Sequence, residues 1–130
     1  MAQYLHFESS LGSRLVSVSD VVEVIPLVAL EPQESQDPLF CGLLNYRGKI
    51  VPVFDLSASE KNRLHDIQSF LIVAQCEEHG IAFLAKEVNA IIDVSPELIS
   101  EIRSNSSPTF YVAKWADNIL RIVEPREFIG

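Results

Sequence analysis

Cysteine is scarce in this sequence. Cys41 and Cys76 are the only two in 130 residues, too few and too far apart for the dense bridging of a small secreted domain, and neither has a neighbouring Cys at zinc-ligand spacing. Both are expected as reduced, packed thiols. The three histidines, His6, His65 and His79, are scattered, and none stands two or four residues from another as a strand-borne or helix-borne metal site prefers, so no metal is expected. Basic residues are in deficit, with 10 Lys and Arg against 18 Asp and Glu and a formal charge of -8. That field repels phosphate backbones and anionic membrane surfaces, which argues against a nucleic-acid partner. The opening residues 1–8 lack the basic start and apolar stretch of a signal peptide. The best apolar run, residues 21–30, is broken by Glu23 and Pro26, so a cytoplasmic chain with no membrane insertion is expected. There is no Gly-x-Ser-x-Gly elbow for a nucleophile. The pairs Glu77–Glu78 and Glu97–Glu101 read as solvated surface rather than acid–base machinery. Residues 42–50 have two glycines followed by Lys49, but five residues separate the glycines where a phosphate loop has four, and Ile50 stands where a magnesium-binding Ser or Thr is needed. No catalytic residue and no cofactor are expected.

What the chain has is apolar material in short pieces. Hydrophobic residues make up 48% of it, enough for one packed domain spanning residues 1–130. Runs of Val, Ile, Leu and Phe are separated by turn residues, and almost no stretch sustains a 3.6-residue stripe. Strands are expected at about residues 3–8, 14–18, 21–28, 40–46, 49–55, 68–76, 80–84, 87–94, 109–115 and 118–123. Ten strands in a chain of this length favour barrels or a sandwich. Residues 9–13, Arg47-Gly48, residues 77–80 and residues 116–118 lie between apolar runs and read as hairpin tips, making chain neighbours antiparallel. Polar loops are expected at 31–38, 57–66 and 104–108. The best helical candidate is 96–103, with Ser95 as cap, Pro96 in the first turn and Leu98, Ile99 and Ile102 on one face.

The most informative segment is residues 41–56, in which an Arg-Gly tip joins two apolar strands. Gly48 suits the left-handed position of such a hairpin. Pro52 donates no ladder hydrogen bond, which predicts a sheet edge or a bulge for 49–55. An open edge beside apolar side chains is a place for a partner to dock. Leu43, Ile50, Val51 and Val53 are expected in the core of a small barrel.

Asn45-Tyr46-Arg47-Gly48 followed by Ile50-Val51-Pro52-Val53-Phe54-Asp55-Leu56 resembles the Asn-x-Arg-Gly and Val-Pro-Val-x-Asp-Leu signature of CheW-like domains. Upstream, Val21-Val22-Glu23-Val24 is similar to the family's Val-x-Glu-Val segment, as is Tyr4-Leu5-His6-Phe7 to its opening strand. Gly80–Leu84 and Val88–Ile92 fall where the family has later strands. Three places depart from the family pattern, one of them the final strand, which carries Arg121 amid Ile119, Leu120, Ile122 and Val123. A polar run, Ser57-Ala58-Ser59-Glu60-Lys61-Asn62, follows Asp55-Leu56, and Lys86 stands where the family has an aspartate.

The resemblance implies an all-β fold with one or two short helices, built as two five-stranded SH3-like barrels packed on a shared core. It also implies a non-enzymatic adaptor linking chemoreceptor tips to the regulatory domain of a CheA-type histidine kinase, cytoplasmic and recruited to membrane-associated receptor arrays. On that reading Glu23 and Arg47 lie at the receptor-coupling surface, with Asn45, Gly48 and Val51 as neighbours on the same hairpin. The residues leave two roles open for Arg47, whose planar fork suits a carboxylate on a partner or an internal tie to Glu23 or Asp55. Three alternatives stand beside the adaptor: a diverged relative that binds one partner only, a small hydrolase using Cys41 with His6 or His79, and a ligand-binding barrel.

Overall fold

The structure is a computed structural model describing residues 2–9, 11–56, 68–105 and 107–129. The expected loop at 57–66 and His65 lie outside the described residues. Among the described residues eleven strands form: β1 (Ala2–Ser9), β2 (Gly12–Ser17), β3 (Val21–Pro26), β4 (Phe40–Tyr46), β5 (Lys49–Phe54), β6 (Phe70–Cys76), β7 (His79–Ala85), β8 (Glu87–Val94), β9 (Ile99–Ser104), β10 (Ser107–Trp115) and β11 (Asn118–Ile122). They make two mixed sheets, a six-stranded one in the order β8-β1-β2-β11-β10-β9 and a five-stranded one in the order β3-β6-β7-β5-β4. The all-β class and the antiparallel hairpins β1–β2, β4–β5, β6–β7 and β10–β11 match expectation. Chain reversal at the tips follows from backbone sterics. Arg47 (φ 51°) with Gly48 (φ 83°), and Ala116 (φ 47°) with Asp117 (φ 67°), adopt the left-handed pair whose twist matches the flanking strands.

The pleat distributes the apolar residues among three cores. In β6 and β7, Leu71, Val73, Ala82 and Leu84 point into the five-stranded sheet with Leu44, Val51 and Val53. Their alternating neighbours Ile72, Ala74, Ile81, Phe83 and Ala85 point the other way, against Leu5, Phe7 and Val16 of the six-stranded sheet. A third cluster, with Leu15, Val94, Ala113, Leu120 and Ile122, fills the six-stranded sheet itself. β6 and β7 are therefore buried on both faces, which is why they read as continuous apolar runs instead of alternating ones. A 3-10 turn, Pro125–Phe128, closes the shared core. Its Phe128 ring packs at 5.0 Å on Phe54 and 5.1 Å on Phe83, spacings at which aromatic pairs add to plain burial.

The expected helix at 96–103 does not form. Pro96–Leu98 is a single 3-10 turn, and Ile99–Ser104 is a strand paired with β10 through Ile99–Ala113 and Ile102–Phe110. Two helical turns give too few hydrogen bonds to offset nucleation, whereas an edge of β10 offers a full ladder. This is the eleventh strand, and it gives one sheet six strands where five were expected. The same competition narrows the expected loop at 104–108, whose ends are absorbed into β9 and β10.

The proline expectation holds for half a strand. β5 is an inner strand, yet it pairs with β7 only at Val53–Ala82 and Phe54–Phe83. Counting from the two-residue turn, Leu43–Pro52 is a non-hydrogen-bonded pair, so the missing proline N–H faces the side where β5 has no partner until Val53. The edge of β4 is covered in turn by Glu31, whose N–H donates to the Leu43 carbonyl at 2.8 Å and whose carbonyl accepts the Leu43 N–H at 2.9 Å. This places Gly42 (φ 150°) so close that a Cβ there would lie 3.0 Å from the Glu31 carbonyl oxygen. Gly42→Ala is expected to lower stability by about 1–3 kcal/mol, from strain and loss of the Glu31 bridge, measured by urea denaturation.

Candidate partner-binding surface

β3 and β4 are the two edges of the five-stranded sheet, yet their side chains meet. The sheet coils until Glu23 of β3 lies beside the β4–β5 tip. There the Tyr46 hydroxyl donates a short hydrogen bond to Glu23 Oε1, and Arg47 Nη2 donates to the same oxygen at 3.0 Å. The Arg47 guanidinium also lies over the Tyr46 ring, 5.3 Å from its centroid, a cation–π distance. Asn45 shapes the turn, its Oδ1 accepting the Gly48 N–H at 3.1 Å. Of the two internal carboxylates open to Arg47, the fold uses Glu23. Asp55 is buried at the far end of β5, where its backbone N–H donates to Leu39.

The clasp is open to solvent, with the Arg47 side chain 74% and the Glu23 side chain 38% exposed. An ion pair at that exposure adds little stability. It stands at the rim of a groove of about 300 Å³ whose walls include Val22, Tyr46, Arg47 and Ile50 and whose floor includes Val51 and Val73. Glu23, Asn45, Arg47 and Gly48 are thus brought together. Val51 is 4% exposed and belongs to the sheet's core, touching the groove from below. Ile50, expected inside, is 65% exposed, because the two-residue period that turns Val51 and Val53 inward turns Ile50 outward. Ile50, Val22 and Tyr46 are the surface residues that sequence reasoning missed. For Ile50 the signal was its alternation against Val51 and Val53.

The thiol and imidazole proposed for a hydrolase occupy separate places. Cys41 is half-buried against the core of the five-stranded sheet, its Sγ 3.4 Å from the Val53 carbonyl oxygen. His6 is in the other sheet, its ring 5.5 Å from that of Trp115 and its Nε2 3.2 Å from Glu8. His79 is exposed at the start of β7. Arg121, conspicuous among apolar residues in the sequence, pairs with Glu127 at 2.8 Å and lies 4.3 Å over the Phe110 ring. Among the described residues no group of three or more His, Cys, Asp or Glu is placed to hold a metal, and no helix is long and apolar enough to cross a membrane.

A search of curated proteins finds no match. Residues 3–129 match the CheW-like domain family. The chain belongs to that family. Among solved structures, the CheW-like domain is similar to the scaffolding protein TtCheW from Thermoanaerobacter tengcongensis, with a TM-score of 0.80 over 95% of this chain and 84% of that one. At 20% sequence identity, that likeness establishes the fold. Membership makes this a scaffold-type domain of chemotaxis signalling, from a non-enzymatic family.

In this CheW-like domain the Tyr46 phenol is held above its ordinary range chiefly by its hydrogen bond to Glu23, with desolvation adding to the shift and Arg47 opposing it. The hydrogen bond is fully present below the ordinary phenol pKa of about 10 and is lost as pH rises through the raised value. Glu23→Gln is expected to bring the Tyr46 ionisation down toward the ordinary value with little change in Tm. Ultraviolet absorbance titration checks this, with Tyr46→Phe identifying the step.

Proposed function

We propose that this chain is a coupling adaptor, presenting the β3 and β4–β5 surface to the cytoplasmic tip of a chemoreceptor and a separate surface to the regulatory domain of a CheA-type histidine kinase, in an array beneath the membrane. The observation that carries the receptor assignment is the exposed Glu23–Tyr46–Arg47 clasp at the rim of a groove that mixes apolar Val22, Ile50 and Val51 with Lys49 and Glu78. A receptor tip is helical, and an amphipathic helix docks by laying apolar side chains into a groove while its polar flank meets charges at the rim. Val22, Ile50 and Val51 supply the apolar contact, and Arg47 supplies a planar donor fork that keeps free N–H groups after binding Glu23. Asn45 and Gly48 act indirectly, by holding the turn that aims Arg47.

Arg47 sits at φ 51°, a conformation that disfavours any side chain with a Cβ and suits glycine. An arginine held there, mostly in solvent, is better accounted for by what it contacts on a partner than by stability. Weak binary binding suffices, because an array multiplies it. Phosphoryl transfer stays in the kinase.

Arg47→Glu is expected to weaken binding of a receptor-tip fragment by roughly fivefold or more, as for a central interface residue, with Tm nearly unchanged. Titration calorimetry against receptor and kinase fragments separately checks this. Kinase binding that survives in the variant assigns the two partners to different surfaces. Unchanged receptor binding removes Arg47 from the site, and an unmodified chain that binds only one fragment replaces the adaptor with a single-partner relative.

A further inference from the structure

β9 is the outermost strand of the six-stranded sheet. Five of its six residues, Ser100 to Ser104, are exposed, and among the described residues no strand lies beside its outer edge. Such an edge is a template for another strand unless its side chains forbid the pairing. The other sheet edges carry obstacles. The edge of β4 is occupied by Glu31, and β3 ends in Pro26 and carries the clasped Glu23. β8 carries Glu87 and Asp93 with no cation, so two copies paired about its centre, Ala90, would set carboxylate against carboxylate.

The side chains of β9 do the reverse. Read outward from Ile102, the strand has Glu101 on one side and Arg103 on the other, then Ser100 and Ser104. Two antiparallel copies related by a two-fold axis at Ile102 would place Glu101 opposite Arg103 twice, Ser100 opposite Ser104 twice, and Ile102 opposite Ile102. Opposite charges directly across a pair of strands stabilise it, and like charges destabilise it. Centring the axis on Glu101 or Arg103 instead would set two carboxylates or two guanidiniums face to face, so of these three registers the charges favour the one centred on Ile102. Within one chain, Arg103 Nε and Glu101 Oε1 are 2.6 Å apart on a single face, and the second copy turns this pair into a two-by-two array of alternating charges. On the opposite face Ile102, 37% exposed, pairs with the half-buried Phe110 of β10. The dimer would extend that contact into an apolar strip, Phe110–Ile102–Ile102–Phe110, across four strands.

We propose that β9 is a self-association edge, and that two copies of this chain join through it into one continuous sheet with two-fold symmetry. The interface is isologous, the form that closed dimers take. Being a single strand pair, it is small and the association weak, with a Kd of roughly 10 μM to 1 mM. The proposal does not rest on the coupling role. β9 is in the other sheet from the clasp, and either reading can fail without the other.

Sedimentation velocity of the full chain over a concentration series tests it, with Tm as the control for folding. The unmodified chain is expected to show a reversible monomer–dimer equilibrium. Arg103→Glu and Glu101→Arg, each setting like charges across both pairs, are each expected to weaken association roughly tenfold or more. Mixing the two folded variants in equal amounts is expected to restore dimers, because the Glu-Glu edge of one then faces the Arg-Arg edge of the other. The double exchange Glu101→Arg with Arg103→Glu should also dimerise. A chain that stays monomeric to about 1 mM overturns the proposal, as do single variants that dimerise like the unmodified chain, or a mixture of folded variants that fails to associate.

Discussion

Burial of β6 and β7 on both faces is the constraint on which the rest of this structure depends. A strand pair with Leu71, Val73, Ala82 and Leu84 on one side and Ile72, Ala74, Ile81, Phe83 and Ala85 on the other must be covered twice. One cover comes from its own sheet, which coils so that Leu44, Val51 and Val53 reach across. The other comes from β1 and β2, through Leu5, Phe7 and Val16, with Phe128 closing the gap between Phe54 and Phe83. Each fully buried side chain of this size contributes about 1.5–3 kcal/mol, far more than any exposed ion pair. The architecture of two sheets on a shared core is thus the packing solution for two residue runs with no polar face.

The candidate surface is a by-product of that coiling. Because β3 and β4 come round toward each other, Glu23 and the Tyr46–Arg47 tip meet at the surface, though they are 24 residues apart in sequence. The scaffold beneath is buried and apolar, whereas the clasp itself is solvent-facing and of little consequence for stability. That division suits a protein that works by presenting a surface. Mutational damage below the groove should act through folding, and damage at its rim through recognition.

Local patterning carried most of the fold. β4 and β8 fall at the expected residues, and the other expected strands differ from the observed ones by a few residues at most, because strand period, turn chemistry and burial agree there. The hairpin tip was legible for the same reason, since Asn-Tyr-Arg-Gly between two apolar runs leaves few other conformations. The 96–103 segment failed because its local signals, a capping Ser, an N-terminal Pro and three apolar residues at helical spacing, describe only what the segment would do alone. β10 offered it a ladder, and tertiary pairing outweighed a two-turn helix. Ile50 was misplaced through a judgement about residue type, where the alternation of its strand carried the better information.

The sequence by itself determined the all-β class, ten of the strand positions with their turns, and the Glu23–Arg47 signature of the family, since each is written in spacings of a few residues. Only the tertiary structure decided that Glu23 and not Asp55 meets Arg47, that Ile50 faces water while Val51 faces the core, and that 99–104 is an edge strand. Those outcomes depend on how far a sheet coils and which strands lie at its margins, and both are set by packing between segments distant in the chain.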